Sequence, residues 1–523
     1  MKKQLTSFKP GALLRFLRPT LLAGILSAVP LSLTIQSSSA ENAVWDVNPP
    51  GAWSTASYNV DGPSTFNVSN VATNVGTAAL TVSVSVGPPT TRTRVSGSGY
   101  APSERVWVDF DGTKIGSVQT DISGAFSRVF HIPALALPGM HVIHGTGSSG
   151  GEYAEAGFLV RTDWPQYHFD DAHTGLNTFE NVLSPSNVSG LQVAWSFPAS
   201  CTSYSGPVVV DGTVYVGNYC NTLYALDELT GQIKWSAVTG GKVDATPAVV
   251  CGTVYVGAGD GTVYAFDKKT GRRLWSYATG SVIYSSPAVW NGIVFIGSTN
   301  STLYALDAST GALVWSVLLG GAVNSTPVVA DRVLYVGSAD GSLYALDAVA
   351  GAILWTGPTG GEVSSPAVWD GKVFVGSSAG LLHAFASGGC GSATCSPIWV
   401  GDPGTGTGSS PAIAYGRVYI GGSDGKLYAF NANGCGDSTC SEDWAAPTGG
   451  SIGGGPAIAN GVVYTGSSFE NAIYAFNADT GALLWSYSGG ATAYGGDTDP
   501  SVADGMLFAT LTWSFKVYAF RLP

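Results

Sequence analysis

The sequence predicts an all-β chain: a β-propeller with eight four-stranded blades over residues 163–523, preceded by a β-sandwich over residues 79–162. Three observations lead there. First, the unit LYALDELTGQIKW at Leu223–Trp235 returns as VYAFDKKTGRRLW at Val263–Trp275, LYALDASTGALVW at Leu303–Trp315, LYALDAVAGAILW at Leu343–Trp355 and IYAFNADTGALLW at Ile473–Trp485. The first four tryptophans, Trp235, Trp275, Trp315 and Trp355, stand 40 residues apart, and two altered copies end at Trp399 and Trp444. A period near 40 with strand-like content marks a repeat architecture. Second, a proline opens a strand at Pro207, Pro247, Pro287, Pro327, Pro366, Pro411, Pro456 and Pro500, eight starts in all. Third, the last unit supplies three strands, and the fourth, with its tryptophan, is found upstream as LQVAWSF around Trp195. A ring that fails to close exposes two sheet edges, so the upstream strand is expected to complete the last blade.

Within a unit the elements follow in a fixed order. In the second, TPAVV, VYVGA, VYAFD and RRLWSYA are short runs rich in Val, Tyr, Phe and Trp, divided by turn residues. Such runs are too short for helices, and four antiparallel strands make a propeller blade. Asp260-Gly261 and Asp340-Gly341 are placed as two-residue hairpin turns with positive φ between the second and third strands. Asp-x-x-Thr-Gly, between the third strand and the Trp strand, is a longer turn in which Asp caps backbone amides and Gly takes the left-handed position.

The spacing Ala-x-Asp-x-x-Thr-Gly-x-x-x-Trp resembles the tryptophan-docking motif of the pyrroloquinoline-quinone (PQQ) binding-like propellers. That superfamily includes quinoprotein alcohol dehydrogenases and the propeller lipoprotein of the outer-membrane barrel assembly machinery. The motif is complete in three units, whereas Ala350 replaces Thr in the fourth and Asn477 replaces Asp in the seventh. The resemblance implies that Trp195, Trp235, Trp275, Trp315, Trp355, Trp399, Trp444 and Trp485 each wedge between neighbouring blades. A buried indole contributes more apolar area there than any other side chain.

Composition agrees. Of 523 residues only 11% are charged, and 71 are glycine, about twice the usual share. The net charge of −12 offers no cationic surplus for phosphate, so nucleic acid is not expected as a partner. Residues 1–40 read as an export signal: Lys2, Lys3, Lys9, Arg15 and Arg18, then an apolar run, then Ser38-Ser39-Ala40. An uncleaved anchor is the alternative, against which Pro30 interrupts a run barely long enough to span a bilayer. Residues 41–78, rich in Ser, Asn, Thr and Val, read as a loosely ordered exported segment. From Leu80 to Val160, alternating runs return every eight to twelve residues. SGSGYAPSERVWVDFDG and TDISGAFSRVFHIP resemble bacterial immunoglobulin-like modules, which usually serve as spacers or adhesive units. Its histidines His131, His141 and His144 have no Cys or Asp at ligand spacing and are read as surface or core residues.

Residues 163–195 join sandwich to propeller and resemble the segment preceding the first blade in PQQ-like proteins. There it crosses the ring and ends in the closing strand. His168, Asp170, Asp171 and His173 make the densest cluster of ligand-type residues, which are expected to cap turns rather than hold a metal. Seven cysteines in an exported chain suggest three disulfides and one thiol. Cys390 with Cys395 and Cys435 with Cys440 enclose equivalent turns, Cys201 and Cys220 lie in loops on one face, and Cys251 is left free on the other.

The segments before the strand-opening prolines carry the candidate ligand groups. They place Ser205, Thr246, Ser285, Ser286, Ser325, Thr326, Ser364, Ser365, Ser409 and Ser410 in a ring with Asp244, Asn324, Asp497 and Asp499. Such a ring could bind a polar ligand or a cation, or it holds small polar residues because eight inner strands converge there. Two functions follow. The first is a non-catalytic exported scaffold, with no cofactor and no catalytic residues, that binds a protein or polymer partner at a loop face. The second is a PQQ- and Ca²⁺-dependent alcohol or sugar dehydrogenase. Against the second stand the absence of an adjacent Cys-Cys pair, of long insertions and of a Cys-x-x-Cys-His haem motif.

Overall fold

Tandem four-strand meanders account for most of the molecule, because each unit's second and third strands are apolar on both faces. Thr213–Gly217 is buried at every position and Thr253–Gly257 at all but its first. A sheet covered on both sides loses its alternation and reads as a continuous apolar run. The computed structural model describes residues 78–523 except Gly150, Thr407, Gly408, Phe469, residues 491–498 and the side chain of Trp513. These residues belong to one compact unit, Ala56–Pro523.

Among the described residues, eight sheets follow the meander plan. Their inner strands are Val208–Val210, Ala248–Val250, Ala288–Trp290, Val328–Ala330, Ala367–Trp369, Ala412–Ala414, Ala457–Ala459 and Ser501–Ala503, and the sheets are numbered in that order. Each inner strand touches the next, and the last touches the first. In the eighth sheet the outer strand is Gln192–Pro198, antiparallel to Lys516–Arg521 with Trp195 opposite Ala519. The chain is an all-β propeller.

The tryptophans join neighbouring sheets through one repeated contact. The indole Nε1 of Trp195 donates to Glu228 O at 2.7 Å, that of Trp235 to Lys268 O at 2.9 Å, that of Trp275 to Ala308 O at 2.9 Å and that of Trp315 to Ala348 O at 3.3 Å. Trp485 donates to Leu191 O at 3.2 Å, on the segment leading into the closing strand. Trp399 and Trp444 keep the packing but leave Nε1 buried without a partner. Beneath each ring from Trp195 to Trp444 lies a glycine of the next sheet's turn. A Cβ on Gly231, Gly271, Gly311, Gly351, Gly389, Gly434 or Gly481 would come within 2.5–2.8 Å of that indole. The Thr-Gly glycine is therefore required twice, for φ near +70° and for the ring above it.

The acidic residue of the same turn works as expected. Asp267 accepts the Lys269 and Thr270 amides and the Thr270 hydroxyl. Asn477 makes the equivalent three bonds, so its substitution changes charge and keeps the turn. Ala350 forgoes only the hydroxyl bond, since Asp347 still accepts the Val349 and Ala350 amides.

One expectation fails. The second-to-third-strand connection is not a two-residue turn with both φ positive. Ala258–Gly261 is a four-residue loop in which Gly261 is left-handed and Asp260 is not, and Asp260 accepts from the Thr262 amide and the Tyr264 hydroxyl. The two-residue turns lie between the first and second strands. Asp211-Gly212, Cys251-Gly252, Asn291-Gly292, Asp370-Gly371, Asn460-Gly461 and Asp504-Gly505 have φ between +42° and +81° at both positions, the hairpin geometry that matches strand twist.

Before the ring, a three-stranded sheet (Ala79–Val82, Arg92–Ser98, Phe126–His131) faces a five-stranded one (Val86–Gly87, Tyr153–Val160, Gly139–Gly147, Arg105–Phe110, Thr113–Gln119) across a core that includes Val95, Val106, Phe130, Ile143 and Phe158. His131 is exposed on its strand. His141 and His144 do have carboxylate partners, from the neighbouring strand Arg105–Phe110 and the turn after it: Asp111, in the turn, at 2.5 Å from His141 and Asp109, on the strand, at 2.7 Å from His144. Spacing along one strand could not reveal a pair made across two. Where this unit meets the ring, Arg161 bridges Glu228 of the first sheet at 3.1 Å and Asp504 of the eighth at 2.9 Å. Burial raises the Glu228 carboxyl to about 8 and also raises Asp504.

Gly271→Ala is expected to lower unfolding free energy by about 2–4 kcal/mol, combining left-handed strain with overpacking under Trp235. At Gly280 (φ +87°) nothing lies within 4 Å of an added methyl, so Gly280→Ala should lose only about 1–2 kcal/mol. Urea unfolding followed by tryptophan fluorescence compares the two.

Candidate functional site

The candidate site is the ring axis, where the inner strands present their second edges; among the described residues that of the seventh sheet alone is paired by a further strand, Leu176–Asn177, parallel to Ile458 and Ala459. Unpaired amides buried there would each cost about 1–3 kcal/mol. The segment 163–177 meets that demand. Val209 exchanges two bonds with Trp164, at 2.7 and 2.8 Å, and the Val249 amide donates to Pro165 O at 2.8 Å. The amides of Val368, Ile413 and Ile458 donate to Ala172, Thr174 and Gly175 carbonyls at 2.8, 2.7 and 2.6 Å. In the eighth sheet the carboxamide of Asn177 donates to Val502 O at 2.8 Å. The third and fourth sheets face a cavity lined by Gln166, Asp171, His173, Ala288, Val289, Trp290 and Val329. Its volume, about 10 Å³, is room for about one water molecule.

To reach so many edges the segment coils tightly. His168, Phe169 and His173 are all left-handed, at φ +52°, +73° and +54°, each costing about 1–2 kcal/mol unless surroundings hold it. Asp170 holds it: its carboxylate accepts the Ala172 and Thr174 amides and the Thr174 hydroxyl. Asp171 accepts from Gln166 at 3.0 Å, and His173 Nδ1 donates to Pro366 O at 3.3 Å. Tyr167 stacks on His168 with centroids 4.3 Å apart. The four ligand-type residues are thus committed to shaping the segment. Among the described residues no group of three or more His, Cys, Asp or Glu could hold a metal ion.

The ring of hydroxyls is likewise spent between sheets. The Gly206 amide donates to Thr246 Oγ1, Thr246 to Ser286 Oγ, Ser286 to Thr326 Oγ1, Thr326 to Ser365 Oγ and Ser365 to Ser410 Oγ, at 2.9–3.3 Å. From the first sheet to the fifth, the residue before the strand-opening proline thus clasps the next sheet's hydroxyl. In the seventh sheet that residue is Gly455, and the His168 imidazole fills the place: a Cβ there would collide with Nε2. Ser285 and Ser325 point inward and accept the Gly297 and Gly337 amides.

The described candidates Asp244, Asn324 and Asp499 have separate partners. Asp244 pairs with Lys242 at 2.8 Å, and Lys242 also lies over the Tyr219 and Tyr284 rings, at 4.3 and 4.9 Å. Asn324 donates to Glu362 at 2.8 Å, and Asp499 accepts the Gly455 amide at 2.6 Å. Asp497 lies outside the described residues. Disulfides join Cys201 to Cys220, Cys390 to Cys395 and Cys435 to Cys440, and Cys251 is an exposed thiol. What sequence reasoning missed is the axial use of Trp164, Pro165, Ala172, Thr174 and Gly175, because the groups that act there are carbonyls, which residue type does not mark.

A family model described as "Outer membrane protein assembly factor BamB" matches residues 186–286, 279–389 and 435–520, more than half of the chain. The chain belongs to this family of PQQ-like repeats. A quinohemoprotein alcohol dehydrogenase of Comamonas testosteroni is 33% identical to this PQQ-like chain over 88 residues, 16% of this chain and 12% of that enzyme. The match therefore takes in about an eighth of the relative's length. Among solved structures, a quinohemoprotein alcohol dehydrogenase from Comamonas testosteroni superposes with a TM-score of 0.56 at 18% identity, covering 69% of this chain and 82% of that one. A europium-containing methanol dehydrogenase gives 0.57 at 14% identity, covering 69% and 98%. The computationally designed Ika8 protein gives 0.53 at 19% identity, covering 63% and 99%. At such identities the likeness speaks for the fold.

The axial histidines set a dependence on acid. Burial lowers His168 to about 4; burial and then the neighbouring His168 lower His173 to about 3. The unfolded chain takes up protons on both below pH 6.5, and the folded chain does not until about pH 4 and 3. Their contribution is present above pH 6.5 and is lost as pH falls through that window, by up to about 1.4 kcal/mol per pH unit for each imidazole. Asp170, raised by burial to about 6, works oppositely and loses its contribution as pH rises from 3.8 toward 6. The double variant His168→Asn, His173→Asn should therefore show a flatter decline in stability between pH 6.5 and 4 than the parent, read as urea midpoints across that range.

Proposed function

We propose that this chain is an exported, non-catalytic binding scaffold of the bacterial cell envelope. In this reading the eight sheets are the eight blades of one propeller, 163–523, docked by the eight tryptophans, and residues 79–162 are an immunoglobulin-like spacer. The signal is residues 1–40, followed by the exported segment 41–78, and the three disulfides suit an oxidising compartment. Among the described residues no helix is long and apolar enough to cross a membrane. The family's description as an outer-membrane assembly factor supports a role in holding other proteins.

The observation that carries this reading is the occupied axis. A cofactor of PQQ's size needs a pocket of some 300 Å³ or more, whereas the cavity beside Asp171 and His173 has about 10 Å³. The residues on the axis do not fit the quinone: Trp164 to Gly175 already satisfies the edges that such a ligand would have to uncover. Of the candidate ligand groups that the structure describes, Asp244, Asn324 and Asp499 are each engaged by a separate partner rather than by one another.

The dehydrogenase alternative rests on the Comamonas relative and on shared architecture, and it makes a clear demand. Purified protein incubated with PQQ and Ca²⁺ is expected to acquire no bound chromophore and to reduce no dye with alcohols or aldoses. Saturable binding with turnover would overturn the scaffold reading. Export is tested separately by amino-terminal sequencing of protein from the envelope or medium, where a start at Glu41 is expected and an intact Met1 would contradict a cleaved signal.

A further inference from the structure

Each sheet also has an outer edge, and in two sheets that edge is covered from within the chain. The disulfide loop Cys390–Cys395 of the fifth sheet lies along the outer strand of the fourth, Ile353–Pro358. The Thr356 amide donates to Ala393 O at 2.9 Å, and the Cys395 amide donates to Thr356 O at 2.8 Å, a parallel bridge. The loop Cys435–Cys440 repeats this on the fifth sheet, where Thr439–Cys440 pairs in parallel with Val400 and Gly401. There the Val400 and Asp402 amides donate outward, to Ser438 O and Cys440 O. Outward amides thus fall one and three residues after the docking tryptophan.

In the third sheet those positions are Ser316 and Leu318, on the outer strand Leu313–Leu318, and among the described residues no strand pairs with its far side. The fourth sheet's turn at this level is the short Asp347–Gly351, which caps its own amides and takes the Trp315 indole at Ala348 O but, among the described residues, makes no strand pairing with Leu313–Leu318. Other outer strands carry protection of the kinds that block edge pairing. The first has Lys234, the second Arg273, the fourth Pro358, the sixth Pro447 and the eighth Pro198, and the 3-10 helix Val188–Gly190 lies against the seventh. The strand LVWSVL has no charge and no proline, no described residue covers its edge as a strand, and Leu313, Val314 and Leu318 are 46%, 49% and 72% exposed.

We propose that this edge takes up an extended, uncharged segment of another polypeptide as an added parallel strand. The occupant follows from the two covered neighbours, where the same edge geometry accepts an extended segment in that direction. Main-chain bonds to Ser316 and Leu318 give affinity, and apolar side chains alternating along the segment lie beside Val314 and Leu318. Absence of charge on Leu313–Leu318 leaves a charged segment uncompensated. This deepens the scaffold reading and rests on it.

The test uses the full chain and a fluorescein-labelled, carboxy-amidated peptide Ser-Gly-Val-Thr-Val-Thr-Val-Thr-Gly-Ser, with anisotropy as readout. Val314→Lys copies Lys234 of the first sheet and Leu318→Pro copies Pro358 of the fourth, so both variants should fold, which circular dichroism checks. Saturable binding by the parent and a loss of about tenfold or more in each variant are expected, with slowed hydrogen exchange at the Ser316 and Leu318 amides. Val238→Pro, at the corresponding place in the first sheet, should leave affinity within about twofold. No binding, equal binding by the variants, or dimerisation of the parent through this edge would each overturn the proposal. Peptide failure without quinone turnover removes only the docking edge; peptide success together with quinone turnover removes the scaffold reading and keeps the edge.

Discussion

Every sheet in this molecule has two edges, and the need to satisfy them governs the rest of the structure. Backbone amides and carbonyls left unpaired away from water are costly, and those left unpaired in water recruit other strands. At the axis the edges converge, with room beside them for one short strand, Leu176–Asn177, and a cavity of about one water molecule. One irregular segment, Trp164 to Asn177, serves six of them by placing a carbonyl or a carboxamide against each. Its left-handed residues and its buried, neutral histidines follow from that task, since no regular element could turn from sheet to sheet so tightly.

At the rim the solution is residue by residue. Where the repeat keeps Asp-x-x-Thr-Gly the turn closes on its own caps and leaves the neighbouring edge alone. Where it is replaced by a disulfide loop the turn gains enough length to lie on that edge, as Thr394 does beside Thr356. The six cysteines therefore do more than close loops: two of the three pairs hold the segments that finish neighbouring sheets. Between axis and rim, an indole on a glycine and a hydroxyl on an amide repeat often enough that small departures are absorbed. Trp399 lacks its hydrogen bond and Gly455 lacks its hydroxyl, yet both positions stay packed.

How much of this could be read from residues depends on whether the groups involved are marked by residue type. Tryptophan spacing, strand-opening prolines and the displaced strand at Trp195 are side-chain signals of fixed period, and they located the meander sheets of the repeats and the partner strand of Lys516–Arg521. The turns were read less well. Asp260-Gly261 has the composition of a two-residue turn, but the loop holds four residues, and the Asp-Gly and Asn-Gly pairs at Asp211, Asn291, Asp370, Asn460 and Asp504 carried the stronger signal. The hydroxyl ring was visible as composition, whereas its use was not, because a clasp between Ser365 and Ser410 joins residues that only the closed ring makes neighbours. Asn324 and Asp499 looked like members of a ligand set for the same reason, since nothing local reveals Glu362 or the Gly455 amide as their partners, whereas Lys242, the partner of Asp244, stands only two residues before it.

The axis and the rim then divide what a propeller of this kind can offer. A ring centre can serve chemistry only if its inner edges are satisfied without filling it, which requires side chains or a ligand to do what Trp164 to Gly175 does here. Once main chain occupies the axis, opening it would expose the amides of Val209, Val249, Val368, Ile413 and Ile458 together. At about 1–3 kcal/mol each, that cost rivals the whole stability of an ordinary domain, so a ligand would have to replace those bonds rather than displace them. The rim carries no such penalty, because an outward amide such as that of Ser316 loses only water when a strand arrives. Binding in this molecule is therefore favoured where an edge is still open, and the least protected such edge among the described outer strands is Leu313–Leu318.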